Sequence, residues 1–146
     1  MRLQPKPVLT LLFFLCSFGA ASLHAEEPRD EEVVEEAGIT DYIAMDPPFV
    51  THVGMPGNKV TYLKASVSLR VASTGARPAV EAHMPRLRHE LVMLFGEQTD
   101  VDQLTATAGQ QALRDEAKTR INQVLEEQQT GESITGVLFT EFVVQK

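Results

Sequence analysis

A strand-like segment at positions 59–72, in which apolar and polar residues alternate from Tyr62 to Val71, constrains the fold of this chain more than any other feature. A period of two places successive side chains on opposite faces of a strand, so the run predicts a long β-strand with one buried face. The apolar positions of this run are Leu63, Ala65, Val67, Leu69 and Val71. Because such a strand must bury its apolar face, the rest of the chain has to supply a cover for it.

Two further segments have the composition of strands. Residues 49–53 form a short β-prone run that follows Pro47-Pro48, and a turn rich in glycine and proline at 54–58 separates it from the long strand. This arrangement predicts a β-hairpin. The last segment, 137–144, has β-branched and aromatic residues at both odd and even positions, which predicts an interior strand or one covered on both faces.

Two helical patterns lie between these strands. The first has an apolar stripe made of Leu87, Leu91, Leu94 and Phe95. Pro85 either begins this helix or kinks a longer one that begins near Pro78. The second stripe consists of Leu113, Ala117, Ile121, Val124 and Leu125. Thr107 and Gln110 match a capping box at its start, and Gly131 is placed to end it. The order predicts an α+β fold, a small and mostly antiparallel sheet with two helices packed on one face.

The chain divides into three parts by composition. Residues 1–25 contain basic residues, then an apolar stretch at 8–21 that is shorter than the ~20 residues of a bilayer-spanning helix, and then small residues. This pattern predicts a signal peptide cleaved after Ala25, with a cut after Ala21 or an uncleaved anchor as alternatives. Residues 26–41 contain eight acidic residues and one basic residue, which predicts an extended acidic linker that acts as a spacer, a docking strip for a basic partner or a solubility segment. Residues 42–146 form the predicted globular domain.

The charge and the cysteine content exclude several classes of function. The 146-residue chain has a formal net charge of −7, which argues against nucleic-acid binding because that affinity depends on lysine and arginine. It also disfavours binding to anionic membrane surfaces, so membrane contact is expected only if the N-terminal segment is uncleaved. Cys16 is the single cysteine, so a disulfide framework is impossible.

No pattern of catalytic or ligand-binding residues is present in the sequence. Phosphate-binding glycine loops, nucleophile elbows and paired metal ligands are absent, so we predict no enzyme, no cofactor and no metal site. His52, His83 and His89 would meet at a metal only through tertiary coincidence, which leaves a small enzyme or metal carrier as a minor alternative. Arg86 and Arg88 flank the first leucine stripe, and they are candidate residues for a surface that meets an acidic partner.

The order and spacing of several short segments resemble a known family. These segments extend over residues 42–146, and they are Tyr42, Pro48-Phe49-Val50, Tyr62-Leu63-Lys64-Ala65, Met84-Pro85-Arg86-Leu87-Arg88, Gln98-Thr99, Asp102-Gln103-Leu104, Gly109, Ala112-Leu113-Arg114, Ile121-Asn122 and the closing Val137-Leu138-Phe139-Thr140-Glu141-Phe142-Val143-Val144-Gln145. Together they are similar to the periplasmic domain of FliL, a flagellar basal-body-associated protein.

The resemblance implies a specific fold and role. The fold would be similar to that of stomatin-type (SPFH) scaffold domains, which associate side by side into rings. The protein would be a homo-oligomer in the periplasm, at the inner membrane and the flagellar basal body. Its partners would be flagellar stator and basal-body proteins, and its non-enzymatic role would support motor rotation and swarming motility. The alternative is a general periplasmic scaffold of the same fold that is unrelated to flagella.

Overall fold

The computed structural model describes residues 38–57 and 59–146, so the predicted cleavage site after Ala25 and most of the predicted acidic linker lie outside the described residues. Four strands form one antiparallel sheet, and they are β1 (Asp41–Ala44), β2 (Phe49–Val53), β3 (Thr61–Val71) and β4 (Gly136–Gln145). β3 is central, because β1 and β2 pair with its two halves along one edge and β4 pairs with residues 62–70 along the other. The three predicted strands and the predicted hairpin are confirmed.

β3 has the two faces that its sequence predicts. All five of its predicted apolar positions are buried, each with no more than 2% of its surface exposed. The alternate positions, from Tyr62 to Arg70, lie on the opposite face and are half-buried or exposed. The alternation therefore sets which face of the sheet receives the helices.

β1 was not predicted from the sequence. It continues into β2 along the same edge of β3, since the Met45 amide donates to the Val67 carbonyl at 2.9 Å before the chain leaves the sheet at residues 46–48. Asp41, the last residue of the predicted linker, is the first residue of β1. Its two carboxylate oxygens accept from Arg77 Nε at 2.7 Å and Nη2 at 2.8 Å, and this fork ties the start of the strand to a helix.

β4 is an edge strand, so the prediction of an interior strand is wrong. Among the described residues it pairs only with β3. Its register shifts near Ser66, which leaves an extra residue in β4 between Phe139 and Glu141. The inward positions, among them Phe139 and Phe142, pack against the core, while Leu138 and Val143 point away from it and are exposed. The apolar residues at both odd and even positions therefore have two causes. The extra residue moves the inward positions from 137 and 139 to 142 and 144, and Leu138 and Val143 add apolar surface to the outward face.

Four helices connect β3 to β4, and they are α1 (Ala76–Ala82), α2 (Met84–Gly96), α3 (Val101–Thr105) and α4 (Thr107–Glu127). α2 and α4 are the two predicted helices, and their predicted stripes are buried. Pro85 lies in the first turn of α2, and Pro78 belongs to the separate short helix α1.

The left-handed residue that ends α4 is Gln129, with a φ of +54°, and not the predicted Gly131. The Gln129 amide donates to the Glu126 carbonyl at 2.8 Å and the Thr130 amide to the Leu125 carbonyl at 3.2 Å, which is the hydrogen-bond pattern of a helix terminated by a left-handed residue. Gly131 also has a positive φ, +70°, but it lies two residues further on.

The capping box predicted for α4 is wrong. Thr107 is the first helical residue, Ala106 occupies the N-cap position, and no side chain caps the helix. Gln110 instead donates from Nε2 to the Leu104 carbonyl at 3.0 Å. The capped helix is α3, where Asp100 accepts hydrogen bonds from two amides of the first turn, at 3.0 and 3.2 Å. The N-cap position therefore lies one residue earlier than predicted, on Ala106, whose side chain has no hydrogen-bond acceptor.

One hydrophobic core joins the buried face of the sheet to the helices. Phe95 of α2 lies at its centre, with ring centroids 5.5 Å from Phe49 of β2 and 6.0 Å from Phe139 of β4. The architecture is thus α+β, as predicted, and the stomatin-like detail of the fold stays a prediction. In the described part of the chain, no helix is long and apolar enough to span a membrane.

Candidate functional site

The sheet face that points away from the helices has an exposed apolar patch. Val50, Lys64 and Val143 lie in one row across β2, β3 and β4. Val50 is 66% exposed and Val143 is 40% exposed, and Tyr62 beside them is 42% exposed. We call Val50, Tyr62, Val143 and the Lys64–Glu141 ion pair the open-face patch. With Gln145 they line an open depression of about 540 Å³.

An ion pair stands at the centre of the open-face patch. Lys64 Nζ lies 2.9 Å from Glu141 Oε1, and Ser66 Oγ donates to Glu141 Oε2 at 3.2 Å. The hydrogen bond from Lys64 lowers the pKa of the Glu141 carboxyl, so this group is ionised at neutral pH. Both side chains are about half exposed, so the pair adds little to stability. It can instead orient a partner that has its own polar groups.

An aromatic pair extends the open-face patch toward the hairpin turn. The rings of His52 and Tyr62 lie opposite each other on β2 and β3, with centroids 4.7 Å apart. Aromatic side chains with a polar end are common in the centre of protein interfaces, because they combine a large apolar area with hydrogen-bonding groups. The arrangement is suited to contact with another protein surface.

The two arginines proposed for a partner surface lie on α2 but make different contacts. Arg88 Nη1 donates to the Met45 carbonyl at 2.7 Å, and its guanidinium lies 4.2 Å from the centre of the Phe49 ring. Arg88 therefore holds the junction between β1 and β2 against α2. Arg86 is more exposed and forms an ion pair with Glu90. Their role toward a partner stays a prediction.

The three histidines do not converge. His52 is in β2, His83 lies between α1 and α2, and His89 is on α2. Within residues 38–57 and 59–146, no three side chains of histidine, cysteine, aspartate or glutamate are grouped closely enough to hold a metal ion.

The sequence of β4 contains a signal for the open-face patch. Residues 137–144 are apolar at both odd and even positions, which predicts an interior strand or one covered on both faces, and the outward-facing Leu138 and Val143 are part of that pattern. A strand on the edge of a sheet with apolar residues on its solvent face instead indicates a contact surface. The pattern alone could not distinguish the two, because the pairing partners of β4 are far away in sequence.

Comparison with known proteins places all but the first residue of the described sheet within one family match. A sequence profile of the flagellar basal body-associated protein FliL matches residues 42–145, which include every residue of the open-face patch. The chain belongs to the FliL family. The flagellar protein FliL of Escherichia coli K12 is 24% identical over 143 residues, which are 97% of this chain and 90% of the relative. The flagellar protein FliL of Shigella flexneri matches to the same extent.

Membership of the FliL family associates this chain with the flagellar basal body. The family description names a structural location and no reaction.

Proposed function

We propose that this domain is a non-enzymatic, periplasmic FliL that associates with the stator units of the flagellar motor and supports motor rotation and swarming motility. The open-face patch is the observation that carries this proposal. In the described residues no helix covers it, and exposed apolar side chains that lie side by side are typical of an interaction site. The family match supplies the flagellar setting.

The antiparallel sheet presents the open-face patch on a rigid support. Val50, Tyr62 and Val143 come from three adjacent strands whose inner faces are anchored in the core. A partner that covers them gains from the burial of apolar area at roughly 25 cal/mol per Å². It must also satisfy Lys64 and Glu141, since a buried charge without a partner is costly. The patch therefore favours a partner with apolar and paired polar groups.

Homo-oligomerisation and retention at the inner membrane belong to the same proposal. A ring of such domains around a stator unit would place many copies of the open-face patch near one partner, and multivalency would raise a weak single contact to a useful affinity. The N-terminal segment would hold the domain at the membrane if it is uncleaved, or it would be removed after Ala25.

A charge placed in the open-face patch tests the proposal. We expect Val50→Glu to reduce swarming and the recovery of stator proteins with this protein, because the new carboxylate cannot be buried in an apolar contact. The substitution lies opposite Lys64 on the neighbouring strand, so the favourable cross-strand charge pair should preserve folding. The matched control is Val92→Glu, at an exposed valine of α2.

The outcomes separate the proposal from its alternative. Reduced swarming with Val50→Glu but not with Val92→Glu, at equal protein level and melting temperature, would support the proposed contact. Normal swarming in a deletion strain, together with no stator protein in pull-downs, would refute the flagellar role and leave the general periplasmic scaffold. A charge reversal at Arg86 in the same strain tests whether the predicted arginine surface contributes.

A further inference from the structure

A basic cleft lies at the end of the sheet opposite to the hairpin turn. It has a volume of about 230 Å³ and is formed between α4 and the first residues of β4. Arg70 of β3 and Arg114 and Lys118 of α4 are its cationic residues, and Asp115 is its single acidic one. Three like charges that share one cleft repel each other, so an anionic ligand would be bound favourably there.

The cations of the basic cleft have no acidic partner within the described part of the chain. Arg70 donates to the side chain and the carbonyl of Thr135 at 3.2 and 3.4 Å, and both acceptors are neutral. Arg114 Nη2 donates to the side-chain oxygen of Gln111 at 2.7 Å. Neither arginine nor Lys118 forms an ion pair with any residue of 38–57 or 59–146, whereas other surface arginines of the helices do; these are Arg77, Arg86 and Arg120.

The cations lie on both sides of the edge of β4. Arg70 belongs to the outward face of β3, in the row of Gly136. Its guanidinium lies over the start of β4, since a Cβ at Gly136 would be only 3.3 Å from Arg70 Nη2. Arg114 approaches from the inward side, where its guanidinium lies 5.8 Å from the centre of the Phe139 ring. The first residues of β4 therefore have positive charge on both faces of the sheet.

The outer edge of β4 is open to a further strand at the same place. Among the described residues, β4 pairs only with β3, and no backbone group outside β3 is hydrogen-bonded to residues 136–139. An open edge accepts an extended peptide by main-chain hydrogen bonds. The extra residue of β4 after Phe139 interrupts the regular edge, so regular pairing is available to a ligand at 136–139, beside the basic cleft.

We propose that the basic cleft binds an extended acidic segment of a partner protein, which adds to the sheet along residues 136–139 of β4. Successive side chains of a strand point to opposite faces. Acidic residues on the inward side of the added strand would therefore meet Arg114 and Lys118, and one on the outward side would meet Arg70. The second outward position would lie beside Leu138, which is 37% exposed and favours an apolar side chain.

This inference goes beyond the proposed function and does not depend on it. The basic cleft and the open-face patch share no residue, and they lie at opposite ends of β4, in the rows of Arg70 and Lys64. Binding of an acidic peptide by the purified protein would stand if swarming were normal. A stator contact at the open-face patch would equally stand if no peptide bound to the cleft.

Fluorescence anisotropy with the purified full chain tests the proposal. The probe is a labelled peptide in which Glu-Val-Glu-Glu is flanked by serines, so antiparallel addition places its valine beside Leu138 and its carboxylates beside the three cations. We expect saturable binding, and Arg114→Glu with Lys118→Glu should weaken it by about tenfold or more, because attraction is replaced by repulsion.

The matched control has the same change of net charge outside the cleft. It is Lys59→Glu with Lys146→Glu, at two exposed lysines. At 0.15 M salt the Debye length is about 8 Å, so these distant charges are screened and the affinity should be nearly unchanged. A second control is the same peptide with N-methylated amides in Glu-Val-Glu-Glu. It keeps every carboxylate but cannot donate main-chain hydrogen bonds, and it should bind about tenfold more weakly.

Each outcome decides the proposal. The absence of saturable binding, equal weakening by the two double variants, or equal binding of the methylated and unmethylated peptides would overturn it. Release of the probe by low millimolar inorganic phosphate would assign the cleft to small anions and also overturn it. If the double variant of the cleft is poorly folded by circular dichroism, Lys118→Glu alone replaces it. Its side chain is exposed and makes no hydrogen bond or ion pair with another described residue, and this change should weaken binding several-fold.

Discussion

Gly109 is the position where a single methyl group should damage the fold most clearly. It lies in the first turn of α4, and an added Cβ would be 1.9 Å from the Gln103 carbonyl oxygen and 2.7 Å from its carbon. Ordinary contacts of this kind begin at 3.4 Å, so the backbone of α3 would have to move by more than 1 Å. The Gln103 carbonyl also accepts from the Ala106 amide at 3.2 Å, and Leu104 beside it is buried.

The expected cost of Gly109→Ala follows from these contacts. Overpacking against backbone costs about 1–3 kcal/mol, and the weakened Gln103–Ala106 hydrogen bond about 1 kcal/mol. Alanine stabilises a helix by at most about 1 kcal/mol relative to glycine, which offsets part of this loss. The net loss in the free energy of unfolding should be about 2 kcal/mol, which for a domain of this size lowers the melting temperature by roughly 10 °C.

Urea denaturation followed by circular dichroism measures this loss. The matched control is Gly96→Ala, also at a helical glycine, where the nearest atom to the added Cβ is Thr51 Oγ1 at 4.0 Å. This variant should be as stable as the parent or slightly more stable, because it gains propensity without a clash. A Gly109→Ala protein as stable as the Gly96→Ala protein would refute the argument that α3 and α4 require a glycine at their contact.

Three further predictions concern the anchoring of the sheet. Asn122→Ala should lower the free energy of unfolding by about 2 kcal/mol. The Asn122 side chain makes two hydrogen bonds to the Ile134 backbone, at 2.7 and 3.1 Å, just before β4 begins. A change below 0.5 kcal/mol in urea titrations would contradict this prediction. Phe95→Ala should lower the free energy of unfolding by about 3–5 kcal/mol, and Phe95→Leu should lower it much less, since the ring fills the centre of the core. Equal melting temperatures for the two variants would contradict this prediction. The pKa of Asp41 is lowered, mainly by its hydrogen bonds from Arg77, so the stability from this pair is complete above the usual pKa of 3.8 and is lost as the pH falls through the lowered value. Asp41→Asn should therefore lose less stability than the parent between pH 5 and pH 2, and parallel curves of melting temperature against pH would be the contrary result.

The elements that the sequence predicted are those whose signal is contained in their own residues. The alternation in β3 and the stripes of α2 and α4 are periodic patterns, and each pattern depends only on which side chains must be buried. Each of these patterns would be the same if the strand or helix packed against different elements of the fold. This is why β3, α2, α4 and the α+β class followed from the sequence.

The elements that it missed depend on distant contacts. β1 has only four residues, and it is held by the fork between Asp41 and Arg77, 36 positions apart. The cap predicted at Thr107 is wrong because the helix begins one residue earlier: the Gln110 amide donates to the Ala106 carbonyl at 3.0 Å, which makes Thr107 the first helical residue. The position of β4 at the edge depends on which strands pair with β3, and no periodicity within β4 contains that information.

The wrong prediction of an interior position for β4 also explains why the sequence did not predict the open-face patch. The arginines proposed from the α2 sequence flank a buried stripe, but Arg88 is engaged by Met45 and Phe49, which come from the β1–β2 edge. The prediction of an interior strand assigns the outward apolar residues of β4 to a buried face. Because β4 is at the edge of the sheet, none of the described elements covers those residues. Contact with a partner is the simplest physical explanation for apolar side chains that are exposed in this way.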